Sequence, residues 1–244
     1  MSLKYQEEHA QDLDTSESPR SDRPPTPIYT VTLIAGIGIV FLAQIGTGLD
    51  ASILRAGFVK TDLRGLHEYW RILTGATTHA SILHVGMNCY AFYSFGRIFE
   101  MLSNRAHLAI VFLLSALGGG VLSLALQPAT ISVGASGGIV GLVSYLAVYS
   151  FKRRQFISPQ FRKSLLTNIG FILVFGLVLY QVVDNWGHIG GLITGAVYGW
   201  FQIPTNEYTD PRDASKLVET LGLVALGFYL AACAFSVLLI LQIF

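Results

Sequence analysis

The sequence predicts an all-α, polytopic membrane helix bundle. Three observations carry that prediction. Hydrophobic residues make up 52% of the 244 residues and charged residues only 13%, about half the charged share of an average soluble domain. The mean hydropathy is +0.54. The apolar residues gather in runs of about 20, the length that crosses a bilayer core. Disorder needs low hydrophobicity and high charge, so it is excluded for the bulk of the chain. A net charge of +1 gives no electrostatic ground for nucleic-acid binding. The two cysteines, Cys89 and Cys233, lie in apolar stretches and imply no disulfide framework.

Residues 1–27 stand apart. They hold nine charged residues and four prolines (Pro19, Pro24, Pro25 and Pro27) with no apolar run. A polar, disordered cytoplasmic tail is expected there. A signal peptide is not, since no apolar stretch sits near Met1.

Seven spans follow, at about 28–48, 74–95, 107–127, 131–151, 165–183, 186–203 and 218–244. The basic residues orient them. With the N-terminus cytoplasmic, only Arg55, Lys60, Arg64 and Arg71 of the 16 Lys and Arg residues fall outside. The densest cluster, Lys152, Arg153, Arg154, Arg162 and Lys163, falls inside, between spans four and five. Residues 49–71 then form an external loop, with Tyr69 and Trp70 as interfacial anchors.

Polar residues inside a span are costly and mark function. The second span carries His79, His84 and Asn88 in its outer half. Ser136 lies a turn or two below the outer face on span four, and His188 sits at a similar level on span six. Three helices therefore bring Ser, His and Asn to one layer. Serine and imidazole at one depth suggest nucleophilic catalysis, with histidine taking the serine proton and later protonating the leaving amine. Gly134, Ala135, Gly137 and Gly138 surround Ser136, and small neighbours expose the hydroxyl. A helix starting near Ser136 would aim its unpaired N–H groups at the reaction centre. The plainer reading is a serine in a close-packed helix.

Gly187, Gly191, Gly195 and Gly199 recur every four residues and form one narrow stripe that lets another backbone come close. His188 lies about 20° from Gly195 around the axis, so it edges that stripe. His84 and Asn88 share a helix face. They could donate to an oxyanion or simply clamp two helices together. A metal site from His79, His84 and His188 is conceivable, but no carboxylate or thiolate joins them at ligand spacing, and neither metal nor cofactor is expected.

These residues resemble the rhomboid family of intramembrane serine proteases. Gly134-Ala135-Ser136-Gly137 is similar to the family's GxSG motif, and His84 through Asn88 to its HxxxN motif. Asn185 through Gly191 resembles the sixth-span segment in which a histidine precedes glycines. Tyr69-Trp70-Arg71 is similar to the Trp-Arg motif of the first loop, and Gly96 through Glu100 to GxxxE at the end of span two. The resemblance covers roughly residues 28–203 in the family's order.

The resemblance implies a Ser–His dyad, with Ser136 as nucleophile and His188 as base, and no required Asp. It implies that His84, Asn88 and the Ser136 N–H hold the oxyanion, with Gly134, Gly137, His79 and Gly191 supporting. It further implies a rhomboid-like six-helix catalytic core at 28–203, a cytoplasmic linker at 204–217 and an additional C-terminal helix at 218–244. The implied partners are single-span membrane protein substrates within the lipid bilayer, cut at a helix-destabilised site. Where the family often carries an aromatic residue four positions after the nucleophile, this chain has Val140. Asp184 and Asn185 are given no role beyond orientation or capping. A catalytically silent relative that binds membrane clients is the alternative. A small transporter is a third reading, disfavoured because no internal repeat is visible. A bacterial inner membrane is the expected location, since the external loop is short and no organelle signal appears.

Overall fold

The computed structural model describes residues 26–243, so nearly all of the expected tail at 1–27 lies outside the described residues. Ten helices and one two-stranded ribbon follow in order. They are α1 (Ile28–Thr47), α2 (Leu49–Ala56), β1 (Phe58–Val59), α3 (Lys60–Gly65) and α4 (Arg71–Thr74). Next come α5 (Ile82–Leu102), α6 (Arg105–Leu126), β2 (Ile131–Ser132) and α7 (Ser136–Lys152). The chain ends with α8 (Pro159–Val178), α9 (Asn185–Gln202) and α10 (Lys216–Leu241). The seven long helices form an all-α polytopic membrane bundle.

Side chains define most of the long-helix starts. Ser81 accepts from the His84 N–H, Asn104 from Ala106, Ser158 from Phe161, Asp184 from Gly187 and Ser215 from Val218. Each acceptor satisfies a donor that has no partner inside its own helix. The first turn of α1 is met from a distance: Glu100 accepts from Thr30 N (2.8 Å) and Thr30 Oγ1 (2.7 Å). A Cβ at Gly96 would lie 2.5 Å from Thr30 Oγ1. Gly96 and Glu100 together therefore dock the start of α1 onto the end of α5. Among the described residues, α7 is the long helix whose first turn receives no side-chain acceptor.

Three spans differ from their expected bounds: the fifth, expected at about 165–183, is α8 at Pro159–Val178, started early by the Ser158 cap, and the second and fourth begin late. Span two was expected from about residue 74, but α5 begins at Ile82, because residues 74–81 are taken up by a hydroxyl-bonded turn. Thr77 Oγ1 donates to the Thr74 carbonyl and Thr78 Oγ1 to the Gly75 carbonyl. Ser81 then caps the helix, so His79 stands in the lead-in and not in the span. Span four was expected from about residue 131, but residues 131–132 pair with 58–59 as an antiparallel ribbon and the helix begins at Ser136 itself.

Four helices are long and apolar enough to cross a membrane by length and composition: α1, α6, α8 and α10. The other three, α5, α7 and α9, carry the polar and glycine-rich motifs that dilute their hydropathy. They sit among the first four: α9 packs on α6 and α7, α5 on α1 and α7, and α10 on α1 and α6. Aromatic rings fill the centre. Phe92 stacks on Phe112 at 4.5 Å, Phe112 meets Tyr229 edge-on at 4.9 Å, and Phe99 stacks on Tyr145 at 4.3 Å. The C-terminal helix is bound into this core. Tyr229 Oη donates to the Ala76 carbonyl (2.9 Å), and Ser236 Oγ pairs with Thr77 Oγ1 (2.8 Å).

The contact that positions the site is α9 on α7. A Cβ at Gly191 would strike the Gly137 carbonyl, one at Gly195 the Gly141 carbonyl, and one at Gly199 the Tyr145 side chain. Both partners advance by four residues, so the two helices run parallel and their N-termini share one end of the bundle. On its other side α9 meets α6, where a Cβ at Gly190 would lie 2.6 Å from the Gly118 carbonyl oxygen.

This seam predicts a sharp contrast. Gly195→Leu is expected to lower stability by about 1–3 kcal/mol through overpacking, read as a fall in the unfolding midpoint in detergent. Gly227→Ala, where a Cβ would meet nothing within 4 Å, is expected to leave the midpoint unchanged or raise it.

Candidate active site

The shared end of α7 and α9 brings Ser136 and His188 together. His188 Nε2 and Ser136 Oγ are 2.9 Å apart, a hydrogen bond. His188 Nδ1 is buried and has no partner among the described residues. Ser136 is the first residue of α7, in the uncapped first turn, so that helix end leaves backbone N–H groups beside the hydroxyl. Gly134, two residues earlier, has φ +117°, a conformation that glycine adopts without strain. The space its Cβ would fill lies 2.8 Å from His84 Nε2 and 3.9 Å from Ser136 Oγ. Glycine at 134 thus admits the His84 ring next to the serine. Val140 is buried one turn further along α7.

The other expected residues take distinct places. Asn88 is buried, and its Nδ2 donates to the His84 carbonyl at 3.0 Å, which occupies one of its two amide hydrogens. His79 is fully buried and meets the His84 ring edge-on, with centroids 5.0 Å apart. The Gln44 side chain grips the His79 backbone from both sides. Its Oε1 accepts from the His79 N–H (2.9 Å) and its Nε2 donates to the His79 carbonyl (3.1 Å). His79 therefore braces His84. Gly137 and Gly191 form the backbone contact of the α7–α9 seam. Among the described residues no three His, Cys, Asp or Glu side chains gather closely enough to hold a metal ion.

A cavity of about 50 Å³ opens beside the pair, lined by Ser136, His188, Gly134, Gly137, Ala116 and Ile72 among others. One water needs roughly 10–15 Å³ measured this way, so the space accepts a few waters or a few atoms of an extended chain. The first loop supports its rim. The Arg71 guanidinium is buried and donates to the Gly57 (2.9 Å) and Leu54 (3.1 Å) carbonyls and to Glu68 Oε2 (2.5 Å). The Gly134 N–H donates to the Gly75 carbonyl at 2.9 Å, which joins the loop to the segment before Ser136. Trp70 stands edge-on to Phe235 of α10 at 6.0 Å.

Sequence reasoning missed a polar cluster on the same wall. Lys60, fully buried, donates to Ser123 Oγ (2.6 Å) and Thr130 Oγ1 (2.7 Å), and its Nζ lies 3.8 Å from Asp184 Oδ2. Ser123 and Ser132 each donate to Asp184 Oδ2 at 2.5 Å. Burial pushes the Asp184 carboxyl up. The serine hydroxyls, the Gly187 N–H and the Lys60 ammonium outweigh it and hold that carboxyl below the usual range. Burial lowers the Lys60 ammonium, and Asp184 opposes that shift. The sequence assigns Asp184 orientation or capping, and it does cap α9. Lys60 had been counted only as an external charge, and a lysine between the apolar Phe58-Val59 and a helix start was the available signal.

Residues 66–205, more than half of the chain, match the rhomboid domain family. The chain is 32% identical over 154 residues to "RHOMBOID-like protein 6, mitochondrial" of Arabidopsis thaliana, covering 62% of this chain and 50% of that protein. It is 31% identical over 176 residues to "Rhomboid protease GluP" of Bacillus subtilis (69% and 34%). It is 29% identical over 139 residues to "Inactive rhomboid protein 1" of Papio anubis (56% and 16%). The chain thus spans half or less of the length of these relatives. Their sources do not single out the bacterial inner membrane expected from the sequence, and they set the location no finer than an integral membrane protein. With the rhomboid match running from the first loop through the end of α9, this chain belongs to the rhomboid family.

Proposed function

We propose that this chain is an intramembrane serine endopeptidase that hydrolyses peptide bonds in or near the transmembrane segments of single-span membrane proteins. The observation that carries the reading is the 2.9 Å hydrogen bond between Ser136 Oγ and His188 Nε2. In this mechanism Ser136 Oγ attacks the scissile carbonyl carbon and its proton passes to His188 Nε2. The negative charge moves to the carbonyl oxygen, where the Ser136 N–H, the His84 ring and the second Asn88 amide hydrogen stabilise it. His188 returns the proton to the leaving amine. A water then gives a proton to His188 as it attacks the ester carbon, the bond from that carbon to Ser136 Oγ breaks, and His188 returns the proton to Oγ.

A second reading is a catalytically silent protein that binds membrane clients. Likeness to a relative named as inactive and Val140 in place of an aromatic favour it. The paired Ser136 and His188 favour the protease. The charge distribution supports a cytoplasmic N-terminus, with the site opening to the opposite side.

Ser136→Ala and His188→Ala are each expected to reduce cleavage of a single-span substrate in liposomes by at least about 10³-fold. Labelling by a fluorophosphonate probe should vanish in Ser136→Ala. Equal cutting by all three proteins would remove the dyad. Asn88→Ala is expected to lower kcat by about 10²-fold while Ser136 still labels, more slowly; unchanged turnover would refute its oxyanion role. For orientation, a cysteine replacing the exposed Arg154 is expected to react with an impermeant maleimide only after the membrane is opened. Reaction in sealed cells would invert the topology.

A further inference from the structure

We propose that Asp184, Ser132 and Lys60 form a positioning clamp that holds the nucleophile and base segments in register at the outer end of the bundle. This inference rests on the dyad reading above. The spacing is symmetrical: Ser132 lies four residues before Ser136, and Asp184 lies four residues before His188. One carboxylate oxygen joins the two segments, because Asp184 Oδ2 accepts directly from Ser132 Oγ at 2.5 Å. The other oxygen, Oδ1, accepts from the Gly187 N–H at 2.8 Å and fixes the first turn of α9. The Asp184 carbonyl also accepts from the His188 N–H at 3.1 Å.

Capping alone does not account for this construction. Asn, Ser or Thr would cap α9 about as well as Asp, with no charge to bury. Here the carboxylate is largely withdrawn from solvent, with 23% of its side chain exposed, and is matched by a lysine of zero exposure. Lysine is almost never fully buried unless it is paired. Lys60 comes from the first loop and reaches Asp184 both directly (3.8 Å) and through Ser123, which accepts from Lys60 and donates to Asp184. Four separate segments therefore converge on one carboxylate: the first loop, the end of α6, the strand before α7 and the turn before α9.

The glycine seam explains why a clamp is needed. Gly191 and Gly195 meet the carbonyls of Gly137 and Gly141 without side chains between them. Such a contact brings the helices close but offers few interlocking side chains against sliding or rolling. A roll of α9 that moves His188 Nε2 by about 1 Å is the scale of error that costs a catalytic group roughly 10²-fold. The clamp sits one helical turn from each reacting group and opposes that motion.

The test uses the full chain in detergent and in liposomes. Ser132→Ala keeps both charges and the cap. Asp184→Asn with Lys60→Met keeps a capping residue and removes both charges together. Both variants are expected to unfold near the wild-type midpoint, yet to label with a fluorophosphonate about 10- to 100-fold more slowly. Both should lower kcat by a similar factor with KM within about twofold. Single Lys60→Met, which strands the carboxylate, should lose stability as well as rate. A double variant that recovers wild-type labelling along with its stability would reduce the cluster to a packing role and overturn the clamp. Absence of labelling in the wild type would instead defeat the dyad reading. In that case amide exchange over 185–190 still decides the clamp: faster exchange in Ser132→Ala supports it, and unchanged exchange refutes it.

Discussion

The whole arrangement depends on backbone meeting backbone where α7 and α9 cross. Gly137 faces Gly191 and Gly141 faces Gly195, and any Cβ at the two α9 positions would overlap a carbonyl. In lipid, helices gain little from the hydrophobic effect when they associate, so close van der Waals approach must supply the cohesion. The same approach sets the distance between the helix ends. Ser136 begins one helix and His188 lies in the first turn of the other. Parallel helices with a common start bring those first turns together. Side chains larger than hydrogen along the stripe would separate the two groups as well as the two helices.

Helix ends matter as much as helix faces here. Most long helices of the bundle close their first turns with a side-chain acceptor, because an orphan N–H is expensive where water is scarce. Among the long helices of the described residues, α7 starts without one. Its first N–H groups lie beside Ser136 with donor capacity to spare, which on the protease reading an incoming carbonyl oxygen would accept. The first loop surrounds this end with Arg71 and its backbone carbonyl partners, so the irregular chain at the mouth has its own polar groups satisfied. Non-helical backbone at membrane depth is tolerable only where it is bonded to protein or lines a wet cavity.

Much of this was legible in the residues. Runs of about 20 apolar residues located seven helices, and the polar layer located the level at which Ser136 and His188 meet. The glycine period of four pointed to the seam. Other features were not legible, for identifiable reasons. His79 was placed in a span because apolar residues follow it, yet the hydroxyls of Thr77, Thr78 and Ser81 bond to nearby backbone and delay the helix until Ile82. Asn88 was aimed at the site by its spacing from His84. One of its amide hydrogens bonds back to the His84 carbonyl, a choice that spacing cannot reveal. The Lys60–Asp184 cluster joins residues more than 120 positions apart, and the fold of the first loop alone decides that they meet. Sequence periodicity reports faces of helices, whereas this contact belongs to loops and caps.

The size of the cavity bears on what can be cut. An α-helix with its side chains is about 10–12 Å across, and a space of about 50 Å³ cannot admit it. On the protease reading, a substrate must therefore present several residues in extended form before its carbonyl reaches Ser136. Each residue unwound gives up a backbone hydrogen bond that lipid cannot replace. Glycine and proline reduce that cost, since they weaken the helix by about 1 and 3 kcal/mol each. Recognition would then turn first on how readily a substrate helix opens near the outer face, and only afterwards on its side chains. The small residues around Ser136 fit that logic: Gly134, Gly137 and Ala116 build a narrow slot for a bare backbone, with little room for a deep side-chain pocket.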